Sequence, residues 1–351
     1  MAYGNDGVTD ARRATGAGLA AAALFGASTP AAKLLVPGAG ALVLAGLLYL
    51  GAGVGLTALS RFHRADEAPI RREDLRALVP MIVAGGVVGP VLLVVGLARV
   101  SGVAASLLLN LEAPLTMLLA VLAFGDHLTR QEAIGAVAIV AGATALGFAP
   151  HPLRADALGI ACIAGACAAW ALDNNLAQRL ALRDPVSVAR AKTLGAGAIG
   201  IALALATGER LPGLVTALGA LAVGALGYGA SIVLHLVATR GLGAARQAAL
   251  FATAPFIGAL ISVPLLGERL TVRDVVAGSL MAAGLAAVLR ARHAHLHAHE
   301  ALEHEHAHAH DEHHRHDHRG AVAEPHSHVH THAPLVHVHP HTPDAHHRHG
   351  H

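Results

Sequence analysis

Charge is what this sequence has least of. Asp, Glu, Lys and Arg make up 14% of its 351 residues, against about 25% in an ordinary soluble domain. The charges cluster in short islands between long apolar runs, and the mean hydropathy is +0.54. A water-soluble globule is thereby excluded, and a polytopic helical membrane protein is implied. Aromatic residues are scarce as well, at 3% with a single Trp, so any interfacial belt of Trp and Tyr is thin. No basic stripe interleaved with aromatics occurs, which removes nucleic acid as a partner. Only two cysteines are present, Cys162 and Cys167. Five apart in an apolar segment, they match neither a CxxC motif nor a secreted disulfide framework, and they read as small buried hydrophobes. No Walker loop, intramembrane HExxH motif or nucleophile–base pair is found, so ATP-driven pumping and enzymatic catalysis are disfavoured.

What is present is a series of apolar runs near the roughly 20 residues that a bilayer demands. Ten spans are expected, near 14–34, 38–60, 75–97, 101–124, 131–149, 157–179, 186–207, 213–237, 244–266 and 273–290. The order is a polar tail (1–13), a first five-helix unit (14–149), a second (150–290) and a histidine-rich tail (291–351). With residue 1 in the cytoplasm, the cytoplasmic loops collect sixteen Lys and Arg, among them Arg71, Arg183, Arg190, Lys192 and Arg246, against six on the other side. The positive-inside rule then places both termini in the cytoplasm of a plasma membrane such as the bacterial inner membrane.

The two five-helix units are related. Ala113-Pro114 matches Ala254-Pro255, and Gly125-Asp126-His127-Leu128-Thr129 matches Gly267-Glu268-Arg269-Leu270-Thr271. Gly125 and Gly267 are expected to end a helix. Thr129 with Glu132, and Thr271 with Asp274, have the spacing of a capping box for the next helix. Five spans per copy is odd, so the second copy must enter the membrane with opposite polarity. Inverted repeats of this kind put a binding site between the halves at mid-membrane.

The segments PLTMLLAVLAFGDHLTRQEAIGAVAIVAGATAL and APFIGALISVPLLGERLTVRDVVAGSLMAAGLAAVL resemble the EamA-type branch of the drug/metabolite transporter superfamily. The second segment fits that pattern well, and the first departs from it with Asp126-His127 in place of Glu-Arg. The resemblance implies ten helices in two inverted halves, a central cavity and alternating access. It implies no particular substrate, since such carriers move amino acids, nucleotides, sugars, phosphate esters and drugs.

Within the spans, Glu112 is the sharpest signal. A carboxylate at mid-depth costs about 2.5–3.5 kcal/mol on insertion scales, and such groups mark solute or proton paths. Asn110 shares its face only if the helix is distorted near Pro114. Asp173, Asn174, Asn175 and Gln178 suggest a water-accessible wall in the sixth span, or alternatively interhelical hydrogen-bond glue. Asp173 has Arg179 or Lys33 as candidate partners. His235 has the chemistry of a proton relay or a ligand, although a lone His near a helix end more often snorkels or caps.

The tail is a different polymer. It holds 23 of the 27 histidines, many as H-x-H: His293, His295, His297 and His299; His304, His306, His308 and His310; His326, His328, His330 and His332; His337, His339 and His341. Alternate side chains of an extended chain point the same way, so neighbouring imidazoles can chelate Ni, Co, Zn or Cu. Apolar content too low for a core implies disorder without metal. The expected function is a secondary carrier for a small organic metabolite or drug, driven by protons or exchange, with no required cofactor. The alternatives are a transition-metal or metal-regulated carrier, and a membrane sensor or scaffold.

Overall fold

In the computed structural model the apolar runs form ten rods among the described residues. Residues 6–60, 68–124, 128–147, 156–180 and 183–291 are described, with tail segments 293–299, 302–308, 326–332 and 335–341. The first two spans are α1 (Asp6–Leu35) and α2 (Ala41–Ser60). The third joins α3 (Leu75–Met81) to α4 (Gly89–Leu97) through a π-helical segment, Ile82–Val88. The fourth joins α5 (Gly102–Leu108) to α6 (Glu112–Phe124) through a 3-10 turn, Leu109–Leu111. The fifth is α7 (Arg130–Gly147), the sixth α8 (Ala157–Ala177) and the seventh α9 (Pro185–Ala206). The eighth again contains a π segment, Gly224–Ala230, between α10 (Leu214–Val223) and α11 (Ser231–Leu242). The ninth breaks at Ala252 and Thr253, between α12 (Ala244–Phe251) and α13 (Ala254–Leu266), and α14 (Val272–Arg290) is the tenth. Among the described residues nine of these rods have the length and hydropathy to cross a bilayer. The remaining rod, α7, opens on Arg130, Gln131 and Glu132 and packs along α14.

Irregularities recur at matching places in the two halves. Spans three and eight each carry a seven-residue π segment. Spans four and nine each break just before Ala-Pro. The prolines therefore begin a new helix rather than kink an old one: Pro114 and Pro255 lie in the first turns of α6 and α13, where a missing N–H costs little. Gly267 ends α13 in the left-handed conformation (φ +65°), and Thr129/Glu132 and Thr271/Asp274 form the two capping boxes. Gly125 lies outside the described residues.

Corresponding spans pack on one another: α2 on α9, α7 on α14, and α5 on α13. With no hydrophobic drive between helices in lipid, close backbone approach supplies the attraction. Gly135 and Gly284 meet in this way, a Cβ on either falling 2.5–2.6 Å from the other's carbonyl oxygen. Gly224 is more confined still, since a Cβ there would run into the carbonyl of Leu48. Gly224→Ala is therefore expected to displace the second span, at a cost of about 1–3 kcal/mol typical of overpacking. A lowered melting temperature in detergent would register it. Gly16→Ala, with nothing within 4 Å of the added methyl, is the neutral control.

The two ends of the bundle differ in what ties them. At one end Arg183 bonds Asp74 (2.8 Å) and Glu73 (3.2 Å), and Arg190 donates to Ser60 (3.1 Å). At the other, Lys33 donates to the carbonyls of Leu97 and Val100, and Arg99 pairs with Asp156 at 2.5 Å. The hydrogen bond from Arg99 holds the Asp156 carboxyl below its ordinary range.

In the tail, β1 (His293–His299) pairs antiparallel with β4 (Leu335–His341), and β2 (Leu302–His308) with β3 (His326–His332). The pairing of these segments follows their period. H-x-H alternation repeats every two residues, as a strand does. The register sets His293, His295 and His297 opposite His341, His339 and His337, and His304, His306 and His308 opposite His330, His328 and His326. His310 lies outside the described residues.

Candidate functional site

The break in the fourth span is the natural starting point. Residues 109–111 tighten into a 3-10 turn, which separates Asn110 from Glu112 instead of merging their faces. Asn110 is buried; its amide donates to the Leu107 carbonyl (2.9 Å) and lies 3.9 Å from the sulfur of Met281 on α14. Glu112, half-buried, turns to the sixth span, where Asn174 donates to its Oε1 at 2.7 Å. The helix is distorted here, as a shared face of Asn110 and Glu112 would require, yet Glu112 pairs with Asn174 and Asn110 with the Leu107 carbonyl.

The polar run of the sixth span divides in the same manner, because successive helical residues point about 100° apart. Asp173 is buried and forms an ion pair with Lys192 of α9; neither Arg179 nor Lys33 is that partner. Asn174 reaches Glu112. Asn175 donates to the carbonyls of Ala171 (2.8 Å) and Thr116 (3.1 Å), stitching α6 to α8. Gln178 is exposed in the turn Gln178–Leu180. Two of the four residues join a cluster, one is interhelical glue, and one stands apart.

Three groups that the sequence reading did not single out complete the cluster. Lys192 was counted with the cytoplasmic loops, yet it lies on the eighth residue of α9 with a largely buried side chain (18% exposed). Tyr49 and Trp170 both donate to the carbonyl of Gly85, at 2.8 and 2.9 Å, inside the π segment of the third span. Gly85 has no space for a side chain, since a Cβ would strike Asp173. Spans two, three, four, six and seven therefore converge on one patch that carries two carboxylates and one ammonium. Oδ1 of Asp173 has no hydrogen-bond partner among the described residues. In a low-dielectric interior an unmatched acceptor is costly and therefore available to a ligand, a proton or water.

Aromatic rings extend the patch into the second half. Tyr49 lies 5.8 Å from Tyr228, Tyr228 5.9 Å from Phe25, Phe25 5.1 Å from Phe251, and Phe251 4.9 Å from His235. Half of the protein's ten aromatic residues, with Trp170, thus gather inside the bundle. His235 Nδ1 is 3.1 Å from the amide of Gln247, which is fully buried with its Oε1 unpartnered. His235 accordingly has a built environment and is neither snorkelling nor a cap. Among the described residues no group of three or more His, Cys, Asp or Glu side chains is arranged to hold a metal ion.

Comparison with known proteins bears on the fold and the family. A solved crystal structure superposes with a TM-score of 0.56 over 78% of this chain and 95% of its own, at 18% identity, a likeness of fold. An uncharacterized transporter of Methanothermobacter thermautotrophicus is 27% identical over 291 residues, covering 76% of this chain and 83% of that protein. The EamA-like transporter family matches twice, at residues 13–148 and 157–290, once for each half of the bundle. Two matched repeats, paired irregularities and a polar patch between the halves converge, and the chain belongs to the EamA-like transporter family.

Proposed function

We propose that this protein is a secondary carrier that moves a small organic solute through the cavity between its halves, with Glu112 as the group that exchanges a proton or engages the solute. The observation that supports this most is the placement of Glu112. It sits at the helix break, half-buried, with a neutral amide as its hydrogen-bond partner, while the neighbouring Asp173 is already matched by Lys192. A carboxylate in a span whose hydrogen-bond partner is a neutral amide, and whose nearby ammonium is shared with a second carboxylate, is one whose charge is changeable. The aromatic row gives the solute an apolar wall, and Asn174 with the free oxygen of Asp173 gives it polar contacts.

The orientation that accompanies this reading has both termini in the cytoplasm, as the distribution of Lys and Arg favours. Metal binding belongs to the tail and is separable from transport. A chain cut after Arg292 is expected to retain the full uptake rate in proteoliposomes in metal-free buffer. Binding of Ni or Zn, measured by titration calorimetry, is expected to vanish with the tail. A fall in uptake on truncation would make the tail part of the carrier. The reading itself is tested by screening solutes for protein-dependent accumulation in proteoliposomes under an imposed pH gradient; failure of every organic class, with accumulation of metal ions instead, would replace it.

A further inference from the structure

Two tetrapeptides in the second half are identical: Gly-Glu-Arg-Leu at 208–211 and again at 267–270. In each, the glycine has a positive φ, +77° at Gly208 and +65° at Gly267, a conformation other residues avoid. The turn it makes sends the following glutamate back across the end of the bundle. Glu209 accepts from the backbone N–H groups of Leu42 (3.3 Å) and Val43 (3.0 Å), at the start of α2. Glu268 accepts from those of Gly102 (2.6 Å) and Val103 (2.9 Å), at the start of α5. Each carboxylate thus caps a helix of the other half, satisfying donors that a helix start leaves unpaired and meeting the positive end of its dipole.

The chemistry is the same, but the surroundings are not. Glu209 caps a helix pair that stays together: α2 packs along α9, with a Cβ on Gly200 only 2.9 Å from Gly46 Cα and Gly197 tight against Leu50. Glu268 caps a pair that divides. Near its end of the bundle, α5 packs on α13, and a Cβ on Gly102 would lie 2.9 Å from Ser262 Oγ. Beyond the breaks at 109–111 and 252–253 the two spans part, α6 going to α8, and α12 to α11 and α1. Spans four and nine therefore form a V, joined where Glu268 binds and apart on the other side of Glu112. Lys33 grips the same turn from the opposite side, through the carbonyls of Leu97 and Val100, and its charge is attracted to Glu268.

We propose that the Glu268 cap is the latch of a gate: it holds α5 against α13, and its release opens the cavity at that end, whereas the Glu209 cap is a fixed staple. The proposal rests on the carrier reading above, but its readout needs no transported solute, so the two stand or fall separately. The test uses the full chain in detergent, with Cys162 and Cys167 changed to Ala and a reporter, Ser262→Cys, in the buried α5–α13 contact. Glu268→Gln is expected to raise the rate of labelling by a soluble maleimide about tenfold, equivalent to about 1.4 kcal/mol. Glu268→Asp, which keeps the charge with a shorter reach, is expected to restore part of the protection. Glu209→Gln is expected to lower the melting temperature while leaving the labelling rate unchanged. Equal acceleration by Glu209→Gln and Glu268→Gln would reduce both caps to general stability and overturn the proposal. So would an unchanged rate in Glu268→Gln.

Discussion

Glu112→Gln is expected to reduce uptake driven by a pH gradient to the level of protein-free liposomes, while exchange of solute for solute continues. The glutamine amide has the size of the carboxylate, and its oxygen still accepts from Asn174, so the 2.7 Å contact and the break at 109–111 survive. What disappears is the ability to gain and lose a proton. Coupling needs a group that binds the proton and releases it on the other side, whereas exchange only needs the cavity to reorient with solute aboard. Loss of both activities would make Glu112 a solute contact, and loss of neither would make it structural. Proteoliposomes carrying a pH-sensitive dye, with and without an imposed gradient, separate the three outcomes.

The Asp173–Lys192 pair gives the second large effect. Both side chains are largely buried, at 8% and 18% exposure. Removal of one partner of a buried pair typically costs about 3–5 kcal/mol, because the other charge stays behind uncompensated. Asp173→Ala should therefore lower the melting temperature sharply and reduce folded yield. The double variant Asp173→Ala with Lys192→Met removes both charges and is expected to recover most of that stability, since an apolar replacement of a buried pair is often neutral. Transport is expected to stay lost in the double variant, because the pair and the unpartnered oxygen of Asp173 belong to the patch proposed to meet the solute. A stable double variant with normal transport would assign the pair to architecture alone.

Much of this was legible in the sequence because lipid enforces simple rules. Span length, the inverted repeat and the odd carboxylate at Glu112 follow from hydropathy and spacing alone. The capping boxes at Thr129 and Thr271 follow from two residues three apart. Lys192 lies within the expected span 186–207 but was missed because a lysine near a span end counts toward the cytoplasmic charge; α9 holds it about two turns inside. Tyr49, Trp170 and Gly85 were missed because a backbone carbonyl as shared acceptor has no side-chain signature. The second Gly-Glu-Arg-Leu copy at 208–211 was visible and would have pointed to Glu209; its match to 267–270 lies outside the five-span repeat.

The sequence by itself determined that the chain crosses the membrane as repeated helices, that its halves have opposite polarity, and that Glu112 before Ala113-Pro114 is a carboxylate that the second half lacks before Ala254-Pro255. These are properties of local pattern, because a bilayer admits only helices that satisfy their own backbone. Only the tertiary structure decided partners: that Asp173 meets Lys192, that Glu112 meets Asn174 and not Asn110, and that Glu268 caps α5. Partner choice depends on rotation about each helix axis and on where a π segment or a 3-10 turn resets it. A single residue of register turns a side chain by about 100°, and no local pattern carries that angle from one span to another.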